Sequence, residues 1–265
     1  MTDWMKNARV VAVIGCPPLP GSPMYRPMTR DQYLSYVDIE LDTLFSGGVR
    51  AVMIQNIGDL PVPSTARAET IAWMAMLGGH IRARHDGPMG ISILEDDAEA
   101  TIAIAHAIGA DFVRLKVFVG TMTGPDGLRQ GNAYVAQKYR ALLGADNVKI
   151  FADVYDRTRW PLEGERFEEM VHEAIWYGKA DGLVITGRSV DETLALLARV
   201  RTVTDAPVWA GGGADAMNIN QMLEHADGVI MATSLKHNES LLEPMDGQRV
   251  STVMSVVDHV KIQTQ

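Results

Sequence analysis

Cysteine is all but missing from this chain: Cys16 is the single one in 265 residues. That excludes an internal disulfide framework and a thiolate-built zinc cluster. Long apolar runs are missing as well. No stretch reaches the roughly 18 residues needed to span a bilayer. The opening Met1-Thr2-Asp3-Trp4 lacks the basic region and hydrophobic segment of a secretory leader, so a cytoplasmic location is expected. Basic residues are outnumbered, 24 Lys and Arg against 33 Asp and Glu, for a net charge of −9. This balance argues against a nucleic-acid surface and leaves room only for a local basic pocket that takes a small anion. The seven histidines show no His-x-x-x-His or comparable ligand spacing, so neither a metal nor another cofactor is expected. Linkers and low-complexity tracts are also absent, and residues 1–265 read as one domain.

What the sequence does contain is a repeated alternation. Short apolar runs occur at Val10 to Gly15, Ala51 to Asn56, Met89 to Leu94, Phe112 to Val117, Val148 to Val154, Gly182 to Thr186, Pro207 to Ala210 and Gly228 to Ala232. Amphipathic stretches separate them, among them Arg30 to Phe45, Asp97 to Ile108, Arg166 to Tyr177 and Val190 to Val203. Gly47-Gly48, Gly109 and Gly178 stand where helices should stop. Eight βα units predict a (β/α)8 TIM barrel rather than an open sheet. A doubly wound dinucleotide fold would place Gly-x-Gly-x-x-Gly after its first strand. Here the loop is Gly15-Cys16-Pro17-Pro18-Leu19-Pro20-Gly21, whose prolines exclude that fingerprint.

In such a barrel the loops after the seventh and eighth strands cradle phosphate. The seventh run ends in Gly211-Gly212-Gly213 ahead of a helix expected near Asp215, and the eighth ends in Ala232-Thr233-Ser234. Glycines admit close backbone approach, and free N–H groups near a helix start suit a phosphate, although a glycine triplet alone reads equally well as a tight turn. Strand alternation turns Arg114 and Lys116 inward on the fourth run, and Lys149, Phe151 and Asp153 inward on the fifth, so at least one interior Lys–Asp pair is expected. Lys149 and Arg114 sit early in their strands and suit a structural ion pair. Asp153 and Lys116 sit at the C-terminal ends, where catalytic groups of this architecture collect. Asp59 follows Gly58 at the barrel mouth. Asp96 or Asp97 reads as a helix cap or as a rim carboxylate. Cys16 reads as a reactive thiol or as a small apolar filler. The Met-rich segment Ile71-Ala72-Trp73-Met74-Ala75-Met76-Leu77 suggests a homo-oligomer, since it carries more apolar surface than one barrel helix needs.

Gly15-Cys16-Pro17-Pro18-Leu19-Pro20-Gly21-Ser22-Pro23, Gln55-Asn56-Ile57-Gly58-Asp59-Leu60-Pro61, the segment from Ile108 to Arg114, Phe151-Ala152-Asp153-Val154 and Leu235-Lys236 together resemble the BtpA/SgcQ family over nearly the whole chain. The resemblance implies a TIM barrel of the ribulose-phosphate-binding type tied to one of two roles: an enzyme on a phosphorylated sugar or nucleoside-like compound, or a non-catalytic assembly factor of the photosystem-biogenesis type. Asp59, Asp153, Lys236, Asp246 and Arg249 match the family. Departures fall where its members carry His in place of Cys16, Lys-His in place of Arg157-Thr158 and Ser in place of Gly212. The expected site therefore takes Asp153, Asp59 and Lys116 as catalytic, and Cys16, Asn56, Glu95, Arg157 and Lys236 as substrate-binding. Gly211, Gly212, Gly213, Thr233 and Ser234 would hold the phosphate. The carboxylates would act in acid/base chemistry or stabilise an oxocarbenium ion, with Lys116 facing an oxyanion.

Overall fold

The computed structural model describes Trp4 and residues 9–263, with side chains as far as residue 257. Residues 1–3, part of the segment inspected for a leader, lie outside the described residues. The strands are β1 (Val10–Gly15), β2 (Ala51–Gln55), β3 (Met89–Ser92), β4 (Phe112–Leu115), β5 (Thr121–Gly124), β6 (Gly127–Gln130), β7 (Lys149–Tyr155), β8 (Trp160–Pro161), β9 (Gly182–Ile185), β10 (Val208–Ala210) and β11 (Gly228–Met231). Eight of them pair in parallel and close a barrel in the order β1-β11-β10-β9-β7-β4-β3-β2. The helices α1 (Arg30–Ser46), α2 (Ala68–Arg84), α3 (Ala98–Ile108), α4 (Ala133–Leu142), α5 (Phe167–His172), α6 (Val190–Val200), α7 (Ile219–Leu223) and α8 (Gly247–Gln263) follow the barrel strands. No helix among the described residues is long and apolar enough to cross a membrane.

Local chemistry sets the boundaries. Thr29 opens α1 with a reciprocal capping box: its hydroxyl accepts from Gln32 N–H, while the Gln32 side chain accepts from Thr29 N–H. Asp97 opens α3, accepting from Ala100 N–H at 3.0 Å, so of the two neighbouring aspartates it is Asp97 that caps. Gly109 closes α3 in the left-handed conformation at φ 69°. The helix expected near Asp215 starts later, at Ile219, because the Asp215 carboxylate takes the N–H groups of Met217 and Asn218 and holds a turn there. In α2, Met74 and Leu77 are buried, and Ile71, Trp73, Ala75 and Met76 pack on the same core. Most of that apolar segment is thus consumed within the barrel.

Alternate strand residues fill the interior. Val11, Val13, Ala51, Met53, Val184 and Ile230 surround Phe112, Phe151 and Trp209. The Phe151 and Trp209 rings stack with centroids 3.7 Å apart, and Phe112 meets Trp209 edge-on at 5.0 Å. Trp4 lies against Phe112 at 5.6 Å and extends the cluster. Gly90 and Gly182 give the rings room, since a Cβ at either would collide with Phe112 or Phe151. Lys149 does not join this interior. As the first residue of β7 its ammonium reaches past the barrel floor to Asp181, 3.6 Å away, so its structural ion pair forms outside the interior.

A second, three-stranded antiparallel sheet, β6-β5-β8, was not anticipated from the sequence. Its hairpin turns through Pro125-Asp126-Gly127, a local turn signal in the sequence. Asp126 holds both Arg129 and, through two bonds of 2.6 and 2.9 Å, Arg159. Those bonds, Arg159 foremost, keep its carboxyl well below the usual range. The hairpin thereby anchors the loop that leaves β7.

Phe151→Ala should leave a void against Trp209 that the closed barrel is unable to collapse, costing about 3–5 kcal/mol in guanidinium unfolding. A loss below about 1 kcal/mol would show that the stacked rings do not set the stability of the interior.

Candidate functional site

A cavity of about 220 Å³ opens at the C-terminal ends of the strands. Gly211, Gly212, Gly213, Thr233 and Ser234 form one wall of it, and Lys116, Arg157 and Arg114 contribute the positive charge. Gly211 N–H still completes the sheet by donating to Ile185 O at 2.8 Å. Beyond it the chain breaks away. Gly212 and Gly213 adopt φ 152° and 80°, angles that admit glycine with little strain. Among the described residues, no protein acceptor takes the N–H groups of Gly212, Gly213, Thr233 or Ser234. Two neighbouring strand ends therefore bring unspent donors to one hollow, the arrangement that binds an oxyanion. The Arg157 guanidinium lies against this wall, where a Cβ on Gly212 would come within 2.7 Å of it. Gly211 has a different constraint: a side chain there would overlap Thr186 Oγ1 and come within 2.5 Å of Val184.

Below the cavity, Arg114 and Asp153 form a two-bond pair, Nε to Oδ1 at 2.8 Å and Nη2 to Oδ2 at 2.7 Å. Arg114 thus forms the structural ion pair its place in the strand suggests, with Asp153 as its partner beneath the mouth. Asp153 is enclosed, with no exposed side-chain surface and both oxygens taken by Arg114. Higher up, Lys116 Nζ lies 3.2 Å from Asp156 Oδ2, and this is the Lys–Asp pair of the barrel mouth. Asp156 also accepts from Thr158 N–H at 3.0 Å and from Thr158 Oγ1 at 2.8 Å. Burial alone would raise the Asp156 carboxyl, but Lys116 and the Thr158 bonds outweigh it and hold the pKa below the ordinary value. Asp96, at φ 57°, accepts from the N–H groups of Lys116 and Val117 at 2.8 and 2.9 Å and so fixes the backbone that carries Lys116. Burial dominates its titration, which is pushed up to about 7 despite those bonds.

Asp156 went unnoticed in the sequence for a definite reason. The β7–β9 register runs Asp153 to Val184 and then Tyr155 to Ile185, two steps on β7 for one on β9. This bulge reverses the alternation. Tyr155, which shares Asp153's parity, points instead to Phe167 of α5 at 5.3 Å, and Asp156 enters the cavity.

The other expected residues lie elsewhere. Cys16 is fully buried beside Met74, 3.9 Å from its sulfur, and burial drives its thiol far above the usual range. It fills core. Lys236 is buried and paired with Glu40 at 2.9 Å, and it also donates to Glu243 O at 2.7 Å. Asn56 bridges Asp59 and Glu95 with bonds of 3.0 Å each, and Asp59 accepts from Leu19 N–H at 2.7 Å. Burial raises both carboxyls. Asp59 and Glu95 border a separate cleft of about 250 Å³, formed by the Gly21-Ser22-Pro23 and Pro61-Val62-Pro63 turns. Among the described residues, no group of three or more His, Cys, Asp or Glu is placed to hold a metal ion.

Asp153→Asn removes the charge opposite a buried guanidinium and should cost on the order of 3 kcal/mol in denaturant unfolding. Arg114→Met combined with Asp153→Leu should recover most of that loss. An Asp153→Asn protein as stable as the parent would show that the carboxylate is not needed to hold Arg114.

The sequence profile of the BtpA family matches residues 6–259. The Photosystem I biogenesis protein BtpA of Synechocystis is 32% identical over 254 residues, covering 94% of this chain and 87% of that protein. An uncharacterized protein of Methanocaldococcus jannaschii is 29% identical over 99% of this chain and 100% of its own length. Among solved structures, thiamine phosphate pyrophosphorylase from Pyrococcus furiosus superposes with a TM-score of 0.59 at 19% identity, over 97% of this chain and 98% of that one. N-(5'-phosphoribosyl)anthranilate isomerase from the same organism gives 0.54 at 12% identity, over 94% and 98%. At these identities the structures speak for the fold alone. The match across almost the full length and the relative above 30% identity carry the assignment: this chain belongs to the BtpA family.

Proposed function

We propose that this protein is an enzyme acting on a phosphorylated sugar or nucleoside-like small molecule, with the phosphate seated between Gly211-Gly212-Gly213 and Thr233-Ser234. The observation that carries the reading is the set of unpartnered N–H groups from two adjacent strand ends, with Arg157 beside them. Barrels whose names include thiamine phosphate and phosphoribosyl compounds share the fold, which is consistent with it. A substrate held by its phosphate presents its other end to Lys116 and Asp156. The Lys116 ammonium would stabilise a developing oxyanion, and Asp156, kept ionised by that ammonium and by Thr158, would accept a proton. Asp153 acts in this scheme as a positioning residue for Arg114. Asp59 and Lys236 hold the loops after β2 and β11.

Calorimetric titration should find ribose 5-phosphate binding and ribose failing to bind. Thr233→Ala with Ser234→Ala should weaken binding about tenfold, the scale of two modest hydrogen bonds. Ser234→Asp should abolish it by placing a carboxylate in the cradle while the melting temperature stays within a few degrees. Equal binding of ribose 5-phosphate by the parent and Ser234→Asp would remove the phosphate site from these loops.

One observation favours the assembly role as a second reading. Trp176 and Tyr177, 64% and 67% exposed at the end of the π-helical turn Glu173–Tyr177, flank a hollow with Tyr134, itself 70% exposed. This aromatic face, rather than α2, is where we place a contact with a second copy of the chain or another protein. Light scattering at micromolar concentration should give an oligomer for the parent and a monomer for Trp176→Glu with Tyr177→Glu. A monomeric parent would exclude self-association through this face.

A further inference from the structure

The phosphate cavity does not end at Arg157. A second cavity of about 400 Å³ adjoins it, and Asp156, Arg157 and Thr186 line both. The first, at about 220 Å³, is below the usual volume range of small-molecule sites, which starts at roughly 300 Å³. A phosphorylated ligand seated in the glycine cradle therefore extends across the shared wall.

The charges on the second cavity do not balance. Arg199 is held by Glu165 and Glu168 at 2.8 Å each, and Arg159 by Asp126. The Asp156 carboxylate is taken by Lys116 and Thr158, and Glu192 accepts from the backbone N–H of Arg188 at 2.7 Å, a bond that fixes the carboxylate but leaves its charge on the cavity wall. Two guanidinium groups remain. Among the described residues neither Arg157 nor Arg188 makes a hydrogen bond or ion pair with a carboxylate through its side chain. Arg188 lies over the Trp160 ring with its guanidinium carbon 4.9 Å from the centroid, a contact that steadies the group and leaves its in-plane N–H donors free. Thr186 adds an independent sign. It is only 3% exposed, yet its hydroxyl has no hydrogen-bond partner and borders both cavities. A buried polar atom left this way calls for a partner, which at a cavity wall is a water or a bound group.

We propose that the second cavity is a second anion subsite, built for a substrate that carries two phosphates, one in the glycine cradle and one between Arg157 and Arg188. The inference rests on the phosphate reading above and narrows its substrate class to sugar bisphosphates. The Thr186 hydroxyl would bind the sugar between the two ends.

Calorimetry with ribose 5-phosphate and ribose 1,5-bisphosphate tests it on the parent and on Arg188→Ala, whose side chain is exposed and outside the glycine cradle. The parent should bind the bisphosphate at least tenfold more tightly than the monophosphate. Arg188→Ala should erase most of that preference while changing the monophosphate affinity less than twofold. Equal affinities in the parent, or an equal loss for both ligands in Arg188→Ala, would overturn the second subsite and leave the glycine cradle standing. Binding of neither ligand by the parent would overturn both.

Discussion

The pairing of Arg114 with Asp153 divides this barrel into a part that is filled and a part that can bind. Beneath it the interior is closed by the rings of Phe112, Phe151 and Trp209. Above it the walls separate into a polar hollow lined by Lys116, Asp156 and the glycine segment. A guanidinium taken into such an interior is tolerable only if its charge and its donors are answered, and Asp153 answers two N–H groups at once. The carboxylate is consumed in doing so. Arg114 retains an edge on the cavity and turns guanidinium N–H donors toward its floor, within a neutral pair and without being free to swing away.

Much of this arrangement was legible in the sequence because a parallel barrel makes simple demands. Strands buried on both faces must be short and continuously apolar, and all eight runs coincide with barrel strands to within a residue or two at their ends. Alternation correctly turned Arg114, Phe151 and Asp153 inward. The glycine triplet and Thr233-Ser234 meet in one cavity because strands seven and eight of a closed sheet must be neighbours. What could not be read was anything that depends on an interruption of the pattern. The bulge that exchanges Tyr155 for Asp156 leaves no mark in a one-residue alternation rule, and Lys149 obeys that rule yet lies too close to the strand start to be enclosed. Long-range pairings were invisible for another reason. Nothing local in the sequence says that Lys236 will meet Glu40 across 196 positions, or that Asn56 will bridge Asp59 and Glu95.

The residues that carry the family resemblance and those that line the cavity are largely different sets. Asp59 fastens the proline loop after β1 by accepting from Leu19, Lys236 fastens the segment after β11 to α1, and Asp246 caps α8 through Gln248 and Arg249 N–H. These groups fix where loops begin and end. Lys116, Asp156, Arg157 and Thr186 face the space those loops enclose.

The bulge in β7 has a consequence for how such a site changes over time. Point substitution alters one wall position and leaves its neighbours in place. Deleting Val154 or Tyr155 would remove the extra residue and set Asp156 two positions after Asp153, so regular alternation would keep its carboxylate at the mouth with the register of the neighbouring strand untouched. One codon lost at this point would cost the bulge and spare the acidic group. Lineages that share this barrel can thus differ in length along this strand while keeping the same group at the mouth, and comparison of their site residues must be made by position in space rather than by distance along the chain.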